Sequence, residues 1–344
     1  MAGEAEARLL IAEGLGAAAG REARFGGGRR GAVNEIRFFE WRGRPLLLRR
    51  RLPEVAFAYE PDIAKEAVVA AAWRARGGGA AAVEAAMAAA LQRPAPGRLP
   101  HGPELLAAGH GARPWSIQQA LPGRALGEAP ELAAYRRLGA LLAELHALPL
   151  AACAETFREL GGPPLDPGAL FGRDLERALA AAGLQAPLSA ALRQAAATDF
   201  SGARPALCHN DLHGLNVLRG EAGEPVPIDW DNAVLRPAEL DLVKLRHWTA
   251  LDAGGWLVSE PALYAAFREG YDGAGGPAPD TGRLRACEIL WLLRALIFEQ
   301  RREAAGRPPA PPFPPARHYR ARLEVLAEGS MAERLETGAA GAGT

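Results

Sequence analysis

Residues 34–41 (NEIRFFEW) and 45–51 (PLLLRRR) mix apolar and polar positions at the short period of extended chain, with the turn-forming RGR between them. The pattern predicts a β-hairpin whose successive side chains point to opposite faces. After Pro61 and Asp62, a helix start signal, the apolar period lengthens. Residues 63–76 (IAKEAVVAAAWRAR) predict a helix closed by Gly77, Gly78 and Gly79, and 80–91 a second helical run. A proline-rich stretch at 93–103 leads to 115–121 (WSIQQAL), an apolar strand that stops at Pro122 and Gly123. Beyond this break helical periods dominate. Leu138, Leu141, Leu142 and Leu145 form a stripe on 131–147, residues 168–196 predict one or two helices, and more are expected at 238–250, 260–271, 283–304 and 316–328. A strand, Gly-rich turn and strand return once, in NVLRGEAGEPVPIDW (216–230). The order predicts an α+β chain of two lobes: a small sheet-and-helix lobe over 1–121 and a larger, mainly helical lobe over 122–344.

Composition narrows the class. The 40 basic residues are matched by 40 acidic ones, leaving no net field to attract nucleic acid or an anionic membrane, and neither is expected as a partner. No apolar stretch reaches membrane-spanning length. The N-terminal MAGEAEARLLIAEGLG carries Glu4, Glu6 and Glu13 where a secretory signal needs a basic start and an unbroken apolar run. A soluble, cytoplasmic protein is expected. Cys153, Cys208 and Cys287, odd in number and far apart, fit neither a disulfide framework nor a CxxC metal site. Lys65 and Lys244 are the only lysines, and neither follows a glycine-rich loop, which excludes a P-loop NTPase.

The chemistry concentrates in CHNDLHGLNVLRG (208–220). If the following turn centres between Ala222 and Gly223, an antiparallel hairpin sets Asn216 opposite Asp229, about 5 Å apart. Two oxygen donors at that separation suit magnesium, which is often held by only a couple of protein groups plus phosphates. Asp211 would lie in the loop just ahead of the first strand. A carboxylate reserved for an acceptor hydroxyl beside two metal ligands is the arrangement phosphoryl transfer needs.

The run His209-x-Asp211-Leu212-His213-x-x-Asn216, then Ile228-Asp229-Trp230 and Glu239-Leu240-Asp241-Leu242, resembles the aminoglycoside phosphotransferase and choline kinase family, whose fold is similar to that of protein kinases. The resemblance extends more loosely over residues 20–300. It implies a kinase-like fold, Asp211 as catalytic aspartate, Asn216 and Asp229 as Mg²⁺ ligands, and His209 as a brace of the loop. Asp241 would be a supporting residue or simply a first-turn acid of the next helix. One departure is Asn210, where the family commonly has glycine.

The first lobe carries matching features. Gly26 to Val33 spells G-x-G-x-x-G-x-V, with Gly28 and Gly31 as candidate phosphate contacts, and opens into a strand as a kinase phosphate loop does; a flexible turn is the alternative. The resemblance points to Arg49 as the phosphate-holding cation with Leu47 roofing the base, Arg50 remaining possible. Glu66 shares a stripe with Ile63, Ala70 and Trp73 that could turn it toward the sheet to hold that cation; a surface glutamate beside Lys65 is the alternative. Gln119 to Leu121 would be the hinge whose backbone meets adenine. The expected activity is magnesium-dependent transfer of the γ-phosphate of ATP or GTP to a hydroxyl of a small molecule such as an aminoglycoside, sugar or amino alcohol. Two alternatives stand beside it. One is a nucleotide-binding module without catalysis, the other a metal-dependent hydrolase built on His209, Asp211 and His213 with His247. A cationic acceptor would need acids or aromatic faces, for which Glu260, Asp272, Glu288 and Glu299, with Trp248, Trp256, Trp291 and Tyr271, are available.

Overall fold

The period-two pattern of residues 34–51 folds as β2 (Asn34–Trp41) and β3 (Arg44–Arg51), paired antiparallel with Ile36 opposite Arg49. A computed structural model describes residues 3–31, 34–52, 64–78, 80–92, 97–99, 101–109, 114–148, 167–203, 205–220 and 222–341. β2 and β3 belong to a six-stranded antiparallel sheet that also holds β1 (Arg24–Arg30), β4 (Gly97–Arg98), β5 (Glu104–Gly109) and β6 (Trp115–Gln119), in the order β1-β2-β3-β6-β5-β4. Gly26 to Gly28 lie within β1, an exposed edge strand with a bulge between Phe25 and Gly28, so the glycine-rich run is strand, not loop, as far as Arg30. Gly31 donates its N–H to the Asn34 carbonyl at 2.8 Å.

The sheet's two faces have different covers. Helices α1 (Glu4–Leu15) and α2 (Ala17–Glu22) pack Ala7, Ile11 and Ala19 against Phe39, Leu46, Leu48, Trp115 and Ile117. Because side chains alternate along a strand, Asn34, Arg49, Ser116 and Gln118 face the other way. On that side run α3 (Ala64–Ala75) and α4 (Ala80–Gln92). The predicted cap at Pro61 and Asp62 lies outside the described residues.

Helices follow as expected: α5 (Leu132–His146), α6 (Pro167–Ala181), α7 (Ala186–Ala195), α8 (Glu239–His247), α9 (Pro261–Gly273), α10 (Thr281–Ala304) and α11 (Ala316–Gly341). Helices α5 and α9 cross closely because glycine stands at the contact on each. A Cβ on Gly139 would sit 2.0 Å from the Phe267 carbonyl oxygen, and one on Gly270 1.8 Å from that of Arg136. A short ladder, β7 (Pro205–Cys208) with β10 (Val234–Pro237), and a hairpin, β8 (Val217–Arg219) with β9 (Pro225–Pro227), stand between α7 and α8. Cores join these parts: Val68, Val69 and Ala72 of α3 share one with Leu138, Leu142, Leu212, Val217 and Trp230. No helix among the described residues is long and apolar enough to cross a membrane.

Candidate active site

Residues 209–216 leave β7 as a loop whose backbone is held by one buried carboxylate. Asp241, 1% exposed on the first turn of α8, accepts the His209 and Asn210 N–H groups at 2.6 Å each. Its side chain is spent on the loop rather than on its own helix end. Asn210 adopts φ 61°, the left-handed region that favours glycine and tolerates asparagine, which explains both the family's usual residue and the departure from it. His209 takes the Asp211 N–H on Nδ1 at 3.2 Å, so the network assigns its proton to Nε2, which donates to the Ile228 carbonyl at 2.9 Å. The ring is fully buried against Trp230, and burial lowers its pKa. It ties the loop to the β8–β9 hairpin.

The hairpin register differs from the expected one. Val217 pairs with Pro227 and Arg219 with Pro225, so Asn216 stands opposite Ile228, not Asp229. The cause is the turn: Gly223, at φ 79°, donates to the Gly220 carbonyl, and Gly220 donates to that of Glu224. With a left-handed glycine at its end, this turn shifts the centre of the hairpin to Ala222. Asp229 nevertheless returns toward the loop, because it takes φ 68° and ψ 60° and bends the chain into the turn Trp230–Asn232. Asn216 donates its side-chain N–H to the Asp211 carbonyl at 2.9 Å, which leaves its Oδ1 as an acceptor.

Arg49 reaches this turn from β3. Its guanidinium is ion-paired with both Asp229 and Asp231, and Asn34 donates to Asp231 at 2.7 Å. Arg50 points to the opposite face and pairs with Glu35 and Glu6. Of the two arginines, Arg49 is thus the one in the cleft. Glu66 lies in α3, but its side chain is outside the described residues. Burial raises both aspartates. At Asp231 Arg49 and Asn34 outweigh it and hold the carboxyl well below the usual range, whereas at Asp229 burial and the Asp231 charge prevail and push it up. One guanidinium cannot neutralise two carboxylates, and Asp229 is 39% exposed toward the cleft. Two crowded carboxylates of this kind suit a hard divalent cation, and Asn232 of the same turn ties them to the loop that carries Asn216 by donating to Asp211.

Asp211 has donors on both oxygens. Lys244 of α8 contacts Oδ1, the Asn232 amide donates to Oδ2 at 3.3 Å, and His213 Nε2 lies 3.8 Å from Oδ1. Burial would raise this carboxyl, but Lys244 and His213 outweigh it and lower it. His213 is buried, which pushes it down to about 4, and its Nδ1 accepts the Leu215 N–H at 3.3 Å. His247 is engaged elsewhere, at 2.7 Å from Glu288 and with its ring tilted 30° against that of Trp291. The histidines of the hydrolase alternative therefore do not converge. Among the described residues the His, Cys and Asp ligand atoms that do converge are those of His146, Cys208 and Asp241, a buried core cluster in which Asp241 is already committed to the loop.

A cavity of about 290 Å³ is lined by Gln119, Leu121 and Pro122 of the expected hinge, by Leu218 and Val226 of the hairpin, and by His101. Neither Gly28 nor Gly31 lines it. Of the acids weighed for a cationic acceptor, Asp272 pairs with Arg268, Glu288 with His247 and Glu299 with Arg302, while Glu260 is exposed. Trp248, Trp291 and Tyr271 are buried core residues, and Trp256 is half-buried. Sequence reasoning did not single out Asp231, Asn232 or Lys244 for the site. The available signals were a second acid two residues after Asp229 and a rare lysine one turn after Asp241.

A sequence model described as the phosphotransferase enzyme family matches residues 28–287. No curated protein matches significantly. Among solved structures, the chain is similar to an ethanolamine kinase from Plasmodium vivax (10% identity, TM-score 0.58, 92% of this chain and 85% of that one). It is also similar to a thermostable mutant of aminoglycoside phosphotransferase APH(4)-Ia in ternary complex with AMP-PNP and hygromycin B (15% identity, TM-score 0.53, 94% and 98%). A third is the macrolide 2'-phosphotransferase MphH from Brachybacterium faecium (18%, TM-score 0.50, 90% and 92%). These likenesses establish the kinase-like fold.

Proposed function

The chain belongs to the phosphotransferase enzyme family, with an alcohol group as acceptor, and from that premise we propose that it is a magnesium-dependent kinase of a small hydroxylated molecule with ATP or GTP as donor. The observation that carries this reading is the meeting of three segments: the loop that carries Asp211 and Asn216, the Asp229–Asn232 turn tied to it by the Asn232 hydrogen bond to Asp211, and Arg49 of β3 paired with Asp229. In it, residues 1–121 form the nucleotide lobe and 122–344 the catalytic lobe of a cytoplasmic enzyme.

In the proposed mechanism Gln119 to Leu121 offer backbone groups to the base above Leu218, and Arg49 holds the phosphates from β3. Asp229 and Asn216, with Asp231 beside them, hold magnesium. When bound, the ion would neutralise phosphate charge. Asp211 accepts the hydrogen bond of the acceptor hydroxyl and aims its oxygen in line with the phosphorus, a positioning effect more than strong base catalysis. Its low pKa fits that role, because the carboxylate stays ionised at neutral pH. His209 and Asp241 keep the loop in place.

The test is thermal stabilisation by ATP and by GTP, each with and without magnesium, with zinc as control. A ligand at 100 times its Kd adds about 2.7 kcal/mol to the folded state. A shift that requires magnesium and one nucleotide supports the reading and names the donor. A shift with zinc alone would overturn it.

A further inference from the structure

Lys244 is one of two lysines in a chain that otherwise draws its positive charge from arginine, and it stands on the carboxylate assigned above to the acceptor hydroxyl. Its Nζ contacts Asp211 Oδ1, with the two side chains 17% and 22% exposed, so the pair borders the cleft instead of being sealed in the core. The helix that carries it is fixed, because three residues earlier Asp241 holds the loop amides at 2.6 Å. Positions i and i+3 share a helix face. One turn of α8 thus presents an acid to the loop's backbone and a cation to its carboxylate.

The cations are divided between the two sides of the phosphoryl path. Arg49 is committed on the donor side, to Asp229 and Asp231. On the acceptor side, a hydroxyl oriented by Asp211 lies about 3 Å from the carboxylate, and the phosphorus it attacks about 3 Å farther on. An ammonium touching Asp211 on the cleft side is then within about 3–5 Å of the phosphoryl oxygens. It carries three rotatable donors, and Asp211 uses one of them.

We infer, on the kinase reading above, that Lys244 is a second catalytic cation whose Nζ spans Asp211 and an oxygen of the phosphoryl group in transit. In the step it serves, the acceptor oxygen forms its bond to phosphorus as the bond to the nucleoside diphosphate breaks. The hydroxyl proton passes to Asp211, and Lys244 exchanges none. Its contribution is to stabilise charge spread over the phosphoryl oxygens, which a wider, planar guanidinium would reproduce only in part.

The experiment is calorimetric titration of the full chain, Lys244→Met and Lys244→Arg with MgADP, alone and with aluminium fluoride, whose complex with ADP mimics the phosphoryl group in flight. Lys244→Met is expected to keep MgADP affinity within about threefold and to lose about 10–150-fold of the affinity for the fluoride complex, the worth of one charge-assisted hydrogen bond. Lys244→Arg should recover part of it. If Lys244→Met does not fold, Lys244→Arg carries the test with an expected loss of about threefold or more. Unchanged affinity for the fluoride complex in the folded variants would overturn the inference alone. Wild-type protein that binds no MgADP would remove the kinase reading, and this inference with it.

Discussion

Removing the Asp241 carboxylate should release the catalytic loop. Asp241 accepts the buried His209 N–H and the half-buried Asn210 N–H at 2.6 Å each and lies 3.3 Å from His146 Nε2, with 1% of its surface exposed. Each orphaned N–H costs about 1–3 kcal/mol, and hydrogen bonds to a charged acceptor are at the upper end. Asp241→Ala would therefore cost about 3–6 kcal/mol, a large share of the stability of a typical domain. Asp241→Asn is the more informative variant, because it keeps one acceptor oxygen and sets its NH₂ against the other donor. Its cost should be about half, roughly 1.5–3 kcal/mol. Concentrated in the loop, that loss corresponds to about 10–150-fold faster amide exchange. Hydrogen exchange of the 205–216 segment in wild type and Asp241→Asn reads it directly, with segments of α1 as internal reference. Exchange at His209 and Asn210 within twofold of wild type would refute the assignment of Asp241 as the anchor.

Other outcomes follow from the same geometry. Asn210→Ala should destabilise by about 1–2 kcal/mol in urea denaturation and Asn210→Gly by clearly less, since a left-handed φ penalises a Cβ; equal losses would contradict this. His213 is lowered by burial to about 4 in the folded protein, with Asp211 and Lys244 beside it, against an unfolded value near 6.5. The unfolded chain then binds more protons between these values. Stability held above about pH 6.5 is lost as pH falls toward 4, by up to about 3 kcal/mol, and His213→Gln should show a shallower decline over this window. Arg49→Met should weaken MgADP binding about tenfold or more and cost about 3–5 kcal/mol by leaving Asp231 unpaired. Arg50→Met should lower stability while leaving MgADP affinity within about threefold, because its partners Glu35 and Glu6 lie on the other face of the sheet.

What could be read in advance depended on the range of the interactions involved. The period of residues 34–51 located β2 and β3, and the Leu138 to Leu145 stripe located α5, because a half-buried strand or helix must repeat its apolar positions. β1 was hidden: an exposed, Gly-rich edge strand buries no alternating face. The register slipped by one because a left-handed Gly223 decides where the turn is centred. His209, Asp211, Asn216 and Asp229 stood out as polar groups crowded into one loop and hairpin. Asp231 and Lys244 take their roles from ion pairs with residues 182 and 33 positions away, which spacing does not reveal. Alternation placed Arg49 and Arg50 on opposite faces. Which face was the cleft depended on α1 and α2 covering the other.

On the proposed reading, the Asp229 turn and Asn216 bind a nucleotide's phosphates through magnesium. Calorimetric titration of AMP-PNP into wild type and Asp229→Asn, each with magnesium and with EDTA, tests it most directly. One site is expected in wild type, tightened about tenfold or more by magnesium, with that gain lost in Asp229→Asn. Binding that is equally tight in EDTA, or a magnesium effect that survives in Asp229→Asn, would contradict it.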